Sequence, residues 1–417
     1  MEKDINKIAT KIKNNGGTLY LVGGAVRDKL LNRKVKDEDY CVVGIIPEQF
    51  KNMFPESFTK GKSFQVFELN GREFAMARTE TKSGKGHKEF EVITNKNITI
   101  EQDLARRDIT INAMAENVLT GKIIDPYNGK SDLENKIIRA TTKHFLEDPL
   151  RVYRVARFAT SFEFEVEKET LEMMKTLKNE LNTLSKERVF TEFSKALSEK
   201  KPSIFFEVLK QAGLLEVHFK EIYDLIGALQ PPEHHPEGDS FNHTMLALDK
   251  CAELTDNLEI RFSRLVHDLG KGLTPKEEYP HHYGHEINGV NLVEQFGNRI
   301  NAPTKWINSG KVACREHMRG GIFYKMKPSK KVEFIERVAK SSLGLHGLQI
   351  VVYSDKLSSR NIDSGSTDFE TIGKQCLEAV NGKFIKEKYN IQEGIEFGNK
   401  LHQERVEWMK KQSKILT

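Results

Sequence analysis

Strand-like patterning in this chain stops near Lys143, and that change constrains the fold more than any other feature. Up to about Thr142, short apolar runs alternate with helical stretches and turn signals. FELNGREFAMA reads as a hairpin with Asn70-Gly71 as a type I′ turn. TKSGKGHKE, after the next strand, reads as a mobile loop. TIEQDLARRD reads as a helix, and INAMAENVLTGKIIDPYNG as a second strand pair closed by a Pro/Asn/Gly turn. From Lys143 onward, DPLRVYRVARFATSF, LEMMKTLKNEL, SKERVFTEFSKALS and PSIFFEVLKQAGLL all space their apolar residues by three and four. LQPPEHHPEGDS is the best linker candidate, and the part past Asp368 reads as charged helix. An α+β class follows: a mixed sheet with flanking helices, then all-α domains. At 417 residues the chain is too long for one core, and two to four domains are expected.

Within the first block, TLYLVGGAVRDKLLNRKVKDEDYCVVG places Gly23 and Gly24 between a strand and a short amphipathic helix. Glycine there lets backbone amides approach phosphate oxygens, and the helix dipole favours an anion. Arg27, one turn in, adds a cation. Asp37 and Asp39 follow at the entry to the apolar run CVV. In a strand, residues i and i+2 share a face, with Cα atoms roughly 6–7 Å apart. Two carboxylates so placed repel each other and suit divalent cations held against a nucleoside triphosphate. Taken alone, KVKDED would be a solvated strand edge; the buried strand that follows argues otherwise. Glu38 should face the other way, and Glu80 is a candidate third carboxylate.

DLARRDITINA sets Arg106, Arg107, Asp108 and Asn112 within seven residues. Paired guanidinium forks are shaped for triphosphate oxygens, while Asp108 could cap the helix or pair with an arginine. In EDPLRVYRVARF, a helix starting at Asp148 would carry Asp148, Arg151, Arg154 and Arg157 around one face, with Val152, Val155 and Phe158 opposite. The plain reading is a charged helix face. The sharper one pairs an acceptor, Asp148, with a donor fork, Arg151. Cytosine and adenine both show an exocyclic amine beside a ring-nitrogen acceptor, whereas guanine and uracil show a keto group beside a ring N–H. Such a pair selects C and A without a template base, leaving Arg154 and Arg157 for phosphate.

Composition bounds the rest. Hydrophobic residues make up 38%, charged residues 30%, and the net charge is +5, a soluble, helix-rich and mildly basic balance. Cys41, Cys251, Cys314 and Cys376 are scattered, which indicates neither a zinc ribbon nor a disulfide framework and fits a reducing cytoplasm. MEKDINKIATKIKNNGG reads as a charged amphipathic helix without an apolar signal core, and no stretch has the apolar length to span a bilayer.

LVGGAVRD, the DED pair, ARTE, RRDITINA, DPYNG and EDPLRVYRVARFA, in that order, resemble the bacterial class II tRNA nucleotidyltransferases, the CCA-adding enzymes. With the second block included, the resemblance runs from about residue 18 to 360 and looks closest to the gamma-proteobacterial type with an attached HD phosphohydrolase. It implies a polymerase-beta-like head and CCA addition from CTP and ATP to tRNA. It implies two Mg²⁺ ions on Asp37 and Asp39. One would activate the tRNA 3′-hydroxyl and the other would stabilise the pyrophosphate leaving group. Gly24, Arg27, Arg107, Arg154 and Arg157 match triphosphate and ribose positions, and Asp148 and Arg151 match the amino-acid template for the base. Expected segments are a nucleotidyltransferase head (1–142), a helical nucleotide-selecting and tRNA-binding neck and body (143–230), an HD domain (231–365) and a charged helical end (366–417). Monomer and homodimer both stay open.

The second block carries FNHTMLALDKC, RFSRLVHDLGKG, HHYGHEING, CREHMRG and VVYSDKLS. His243, the His267-Asp268 pair and Asp355 are similar to the HD superfamily ligand set. Imidazole with carboxylate suits Ni²⁺, Mn²⁺, Fe²⁺ or Mg²⁺ better than structural zinc. His285 and His317 read equally well as structural residues or as a second metal position, and His234, His235, His281 and His282 as surface or linker residues. In the resembled family such a site gives phosphatase, 2′-nucleotidase and 2′,3′-cyclic phosphodiesterase activities. The rival readings are a poly(A) polymerase, a CC-only adding enzyme, and a metal-dependent phosphohydrolase whose N-terminal part merely binds RNA.

Overall fold

In the computed structural model, residues 2–60, 65–82, 90–233, 235–358, 368–391 and 394–415 are described. The loop expected over 81–89 lies almost entirely outside them, as does His234. Nine strands form before residue 125: β1 (Thr18–Val22), β2 (Asp39–Val43), β3 (Phe58–Lys60), β4 (Val66–Leu69), β5 (Arg72–Met76), β6 (Thr79–Lys82), β7 (Phe90–Ile93), β8 (Ala115–Asn117) and β9 (Ile123–Ile124). Seven make a mixed sheet in the order β3-β4-β5-β2-β1-β8-β9, and β6 and β7 make a separate antiparallel pair. Only β2–β5 is parallel within the large sheet. The β4–β5 hairpin turns at Asn70 (φ 53) and Gly71 (φ 74), the two left-handed residues a type I′ turn requires.

The sheet has apolar cover on both faces. On one, Tyr40, Phe50, Phe67 and Phe74 pack ring against ring. On the other, Val22, Cys41 and Ala115 meet Ile100 and Leu104. Burying each such phenylalanine contributes about 1.5–3 kcal/mol. The helix Ile100–Ala105 is set by a capping box: Thr99 accepts from the Gln102 amide at 3.3 Å while its own amide donates to the Gln102 side chain at 2.9 Å. That fixes the direction in which Arg106 and Arg107 leave the helix.

Beyond the two-residue strand Glu165–Val166, every regular element among the described residues is helical. The chain divides into two compact units, Met1–Glu192 with Gln211–Leu214, and Phe193–Lys210 with Leu215–Thr417. The second has its own core, built on Phe323, Phe334, Ile335, Leu348, Val351, Phe369 and Met409. Its last helix, Ile395–Ile415, is tied down by Arg405, which donates to the Val380 carbonyl and pairs with Glu336 at 2.9 Å. No helix among the described residues is long and apolar enough to cross a membrane.

The segment read as a linker is tied into its surroundings. The Gln230 amide donates to the Gly238 carbonyl at 3.0 Å, its side chain accepts from the Lys271 ammonium at 2.7 Å, and Glu237 turns back onto His243.

Candidate functional site

Strand register places the first group. β1 pairs with β2 so that Val22 lies opposite Asp39, and Gly23 and Gly24 follow directly. Asp39 opens β2; Asp37 stands two residues before the strand, and both are exposed. The surrounding protein still raises the Asp39 pKa by desolvation, helped by Glu73 and Asp37 and opposed by Arg107. Glu38 points elsewhere, accepting from Arg72 at 3.1 Å and Tyr40 at 3.0 Å. Glu80 lies on β6, and its side chain falls outside the described residues. Gly23 has φ 70, and a Cβ there would sit 2.7 Å from Arg107 Nη1. The turn and the arginine therefore share one small space beside Asp39.

A polar chain runs inward from this turn. Arg27 donates to Asn112 Oδ1, pairs with Asp28 at 2.9 Å and lies 4.6 Å over the Phe162 ring. Asn112 donates to Asp108 at 3.2 Å, and Asp108 pairs with Arg154 at 2.6 Å. Burial alone would raise the Asp108 pKa, but Arg154 outweighs it and holds the carboxyl at about 2. Arg106 and Arg107 both reach the buried Asp103, at 2.8 and 3.5 Å.

Asp148 departs from the sequence expectation. The helix is Arg151–Phe162, and Asp148 lies before it in extended conformation (φ -119, ψ 109). Pro149 follows it, and the residue before proline is driven out of the helical region. Arg151, Arg154 and Arg157 do share the helix, but Asp148 is not on it. Its Oδ1 accepts from the Leu150 amide at 3.0 Å, and its Oδ2 meets Arg188 Nη2 at 3.1 Å. Arg151 instead donates to the carbonyls of Arg106 (2.6 Å) and His144. Arg157 pairs with Glu192 and stacks 3.9 Å over Phe158. Sequence reasoning missed Arg188, forty residues from its partner; its Nη1 is buried with no hydrogen-bond acceptor.

The second group lies wholly in the helical unit. Asp239 caps Ser240–Leu254 by accepting from the Asn242 amide at 2.8 Å, so His243 falls in the first turn. Asn257 caps Leu258–Val266, at whose end His267 and Asp268 stand. His243, His267, Asp268 and Asp355 bring ligand atoms within 4.8 Å of one another, and Asp268, His285 and His317 do the same. The four imidazoles are held alike. Nδ1 of His243 bonds Glu237 (2.6 Å), that of His267 the Arg264 carbonyl (2.7 Å), that of His285 the His282 carbonyl (2.7 Å) and that of His317 the Cys314 carbonyl (2.8 Å). Every Nε2 is thereby left facing the cluster, the arrangement that outer hydrogen bonds give to metal-binding histidines.

The donor set fits a divalent metal. Asp268 Oδ1 is buried without a hydrogen bond, 3.3 Å from Nε2 of both His285 and His317. His267 and Lys271 overcome its burial and hold its pKa well below the carboxylate range. Asp355 is likewise depressed: Arg264 and His243 overcome desolvation. Two neighbours depart from the sequence reading, which gave His235 as a surface or linker residue and did not single out Arg264. His235 meets Glu237 at 3.0 Å with its ring 4.6 Å from that of His243, so it belongs to the wall of the cluster. Arg264, fully buried, reaches Asp355 at 2.8 Å, His243 Nε2 at 3.3 Å and the His267 ring. His282 is structural, bonding Thr274 and the Leu229 carbonyl, and the His281 ring stacks on Tyr283.

Comparison with known families and proteins agrees with this division. The poly A polymerase head domain matches residues 19–139, the probable RNA and SrmB-binding site of polymerase A matches 163–225, and the HD domain matches 240–341. The chain is 45% identical over 331 residues to the multifunctional CCA protein of Mannheimia succiniciproducens, covering 76% of this chain and 78% of that one. It is 44% identical over 328 residues to the multifunctional CCA protein of Acinetobacter baumannii, covering 77% and 79%. A solved CCA-adding enzyme with ATP superposes with a TM-score of 0.65 at 20% identity, covering 98% of this chain and 90% of that one. The Thermotoga maritima CCA-adding enzyme complexed with tRNA gives 0.64 at 20%, covering 96% and 89%. At that identity the two structures speak for the fold.

Proposed function

The chain belongs to the multifunctional CCA proteins, CCA-adding nucleotidyltransferases joined to an HD domain, and from that premise we propose that it adds CCA to tRNA 3′ ends from CTP and ATP and hydrolyses phosphate esters at its HD cluster. In this reading residues 1–142 are the head, 143–230 the nucleotide-selecting and tRNA-binding body, 231–365 the hydrolase block and 366–417 a helical end. Its four cysteines are free and buried, as suits work in a reducing cytoplasm.

The observation that carries the transferase reading is the register that sets Asp39 beside the Gly23-Gly24 turn, with Arg107 packed on that turn. Asp37 and Asp39 would hold two Mg²⁺ ions, which supply charge neutralisation for the triphosphate and a more acidic attacking 3′-hydroxyl. The Gly24 amide region and Arg107 would take phosphate oxygens, and Arg27, braced on Phe162, would keep the turn in place. Arg154 and Arg157 each have an acidic partner, so they stand oriented before a nucleotide arrives. Asp148 would accept the exocyclic amine of C or A. Arg151 is held to backbone carbonyls, so Arg188, paired with Asp148 at 3.1 Å, would supply the donor beside it. Guanine and uracil would set a keto oxygen against the carboxylate and fail.

In the hydrolase block, the ligands for a divalent metal would be drawn from two groups that share Asp268: the quartet His243, His267, Asp268 and Asp355, and the triad Asp268, His285 and His317. Ni²⁺, Mn²⁺ and Mg²⁺ are the candidates by ligand type. Metal bound there supplies a Lewis acid for a phosphoryl oxygen and a nucleophile from water. The Nδ1 partners keep the rings aimed, and Lys271, 2.7 Å from Asp268 Oδ2, keeps that carboxylate ionised.

The test is direct. Transcripts ending before, within or after CCA are incubated with Mg²⁺ and labelled CTP or ATP. Ordered additions that stop after the terminal A are expected. An open-ended A tail on unrelated RNA would overturn the reading in favour of a poly(A) polymerase.

A further inference from the structure

Arg264 puts a guanidinium among the candidate metal ligands of the HD cluster. Its relative exposure is 0% and it sits one helical turn before His267. Among the described residues, its guanidinium donates to Asp355 Oδ1 (2.8 Å), His243 Nε2 (3.3 Å) and His267 Nε2. These are three of the four side chains of the quartet His243, His267, Asp268 and Asp355. A divalent ion needs the same lone pairs at about 2.0–2.2 Å, in space the two Nη atoms fill. Two cations cannot use one set of donors in a buried site without strong repulsion. Arginine also stays protonated under all ordinary conditions, so it cannot step aside by losing its charge.

The second triad differs. Asp268 Oδ1, His285 Nε2 and His317 Nε2 lie within 3.2–3.3 Å of one another, and no cationic side chain bonds to any of the three atoms among the described residues. Asp268 Oδ1 has no hydrogen bond at all. Its other oxygen is the one that meets Lys271 and His267. The orphaned acceptor therefore points into the triad, away from the arginine.

We infer that Arg264 is a built-in cationic competitor for metal at the His243–His267–Asp268–Asp355 quartet, and that this HD block takes its divalent ion on Asp268, His285 and His317. The inference rests on the reading of the HD cluster as a metal site. It makes the quartet an internally neutralised support: Arg264 supplies there the positive charge that an ion would otherwise bring, and the tight site is the neighbouring triad.

Mn²⁺ binding by equilibrium dialysis tests this on the full-length Asp37→Ala/Asp39→Ala protein, whose transferase site is disabled for metal. One tight ion is expected. His317→Ala should abolish it, and His243→Ala should leave the ion count unchanged. Arg264→Ser should open the quartet, adding a second ion bound more than about tenfold tighter than any second ion on the parent. Arg264→Lys should retain the parent's count. Two tight ions on the parent, or loss of the tight ion in His243→Ala but not in His317→Ala, would overturn the inference. The His243→Ala and His317→Ala arms decide it even should Arg264→Ser fail to fold. No tight ion on the parent or on Arg264→Ser would instead overturn the metal reading of the cluster itself.

Discussion

The head and the HD block both concentrate charge, but they handle it in opposite ways. In the head, Asp37 and Asp39 stand exposed at a strand entry, while the cations that would meet a triphosphate are held by acidic partners behind them: Arg154 by Asp108, Arg157 by Glu192, Arg107 by Asp103. In the HD block, His243, His267, Asp268, His285 and His317 are all buried, and an arginine is enclosed with them. An open site can wait for its ligand with solvent around its carboxylates. A largely buried one must balance its charges when the chain folds. The first arrangement suits a large substrate that comes and goes; the second suits a small resident ion.

The largest effect that would break this contrast is at the acidic pair. Asp37→Ala or Asp39→Ala should lower nucleotide incorporation by at least about 10³-fold, while phosphatase activity and HD-bound metal persist. Parallel loss of both activities would mean that the two sites are not independent. A smaller effect is expected at Arg188. Arg188→Ala leaves the Asp148 carboxylate without its side-chain partner and should raise misincorporation of GTP or UTP by roughly tenfold, within the range that a bidentate base contact supplies. The KM for CTP should change less than the discrimination does. Equal loss against all four nucleotides would reduce Arg188 to a phosphate or folding role.

A third effect, on stability and not on activity, sharpens the account of the helical unit. Burial, reinforced by the Arg299 charge, lowers the His218 pKa to about 4. The folded value lies below the unfolded one, near 6.5, so the neutral ring contributes fully above about pH 6.5. As the pH falls towards 4 the unfolded chain takes up a proton that the folded chain refuses, and stability is lost by up to about 3 kcal/mol. His218→Gln should flatten that limb of the melting temperature against pH. An unchanged acid limb would show that other groups set it.

Much of this was legible in the amino-acid sequence, for local reasons. Asn70-Gly71 dictates its turn, the Gly23-Gly24 step joins strand to helix, and the change from period two to period three or four separates sheet from helices. Where the sequence reading failed, the cause was also physical. Asp148 was placed on a helix although Pro149 forbids that conformation to the residue before it, a signal that was present and outweighed by the apolar spacing. Arg188 meets Asp148 only because Lys186–Leu197 packs nearby, which no spacing encodes. The Pro- and His-rich stretch before Asp239 looked like a connector by composition, yet His235 and Glu237 brace His243 from it. Arg264 stood three residues before His267, one turn away on the same helix face, but nothing in the pattern showed that this face turns inward.

The crowding of Gly23 against Arg107 has a further consequence for how such a chain can drift. Any side chain at position 23 would collide with the guanidinium, and shrinking position 107 would not cure the left-handed backbone. A deep mutational scan should find position 23 intolerant of side chains even in a background where position 107 is small.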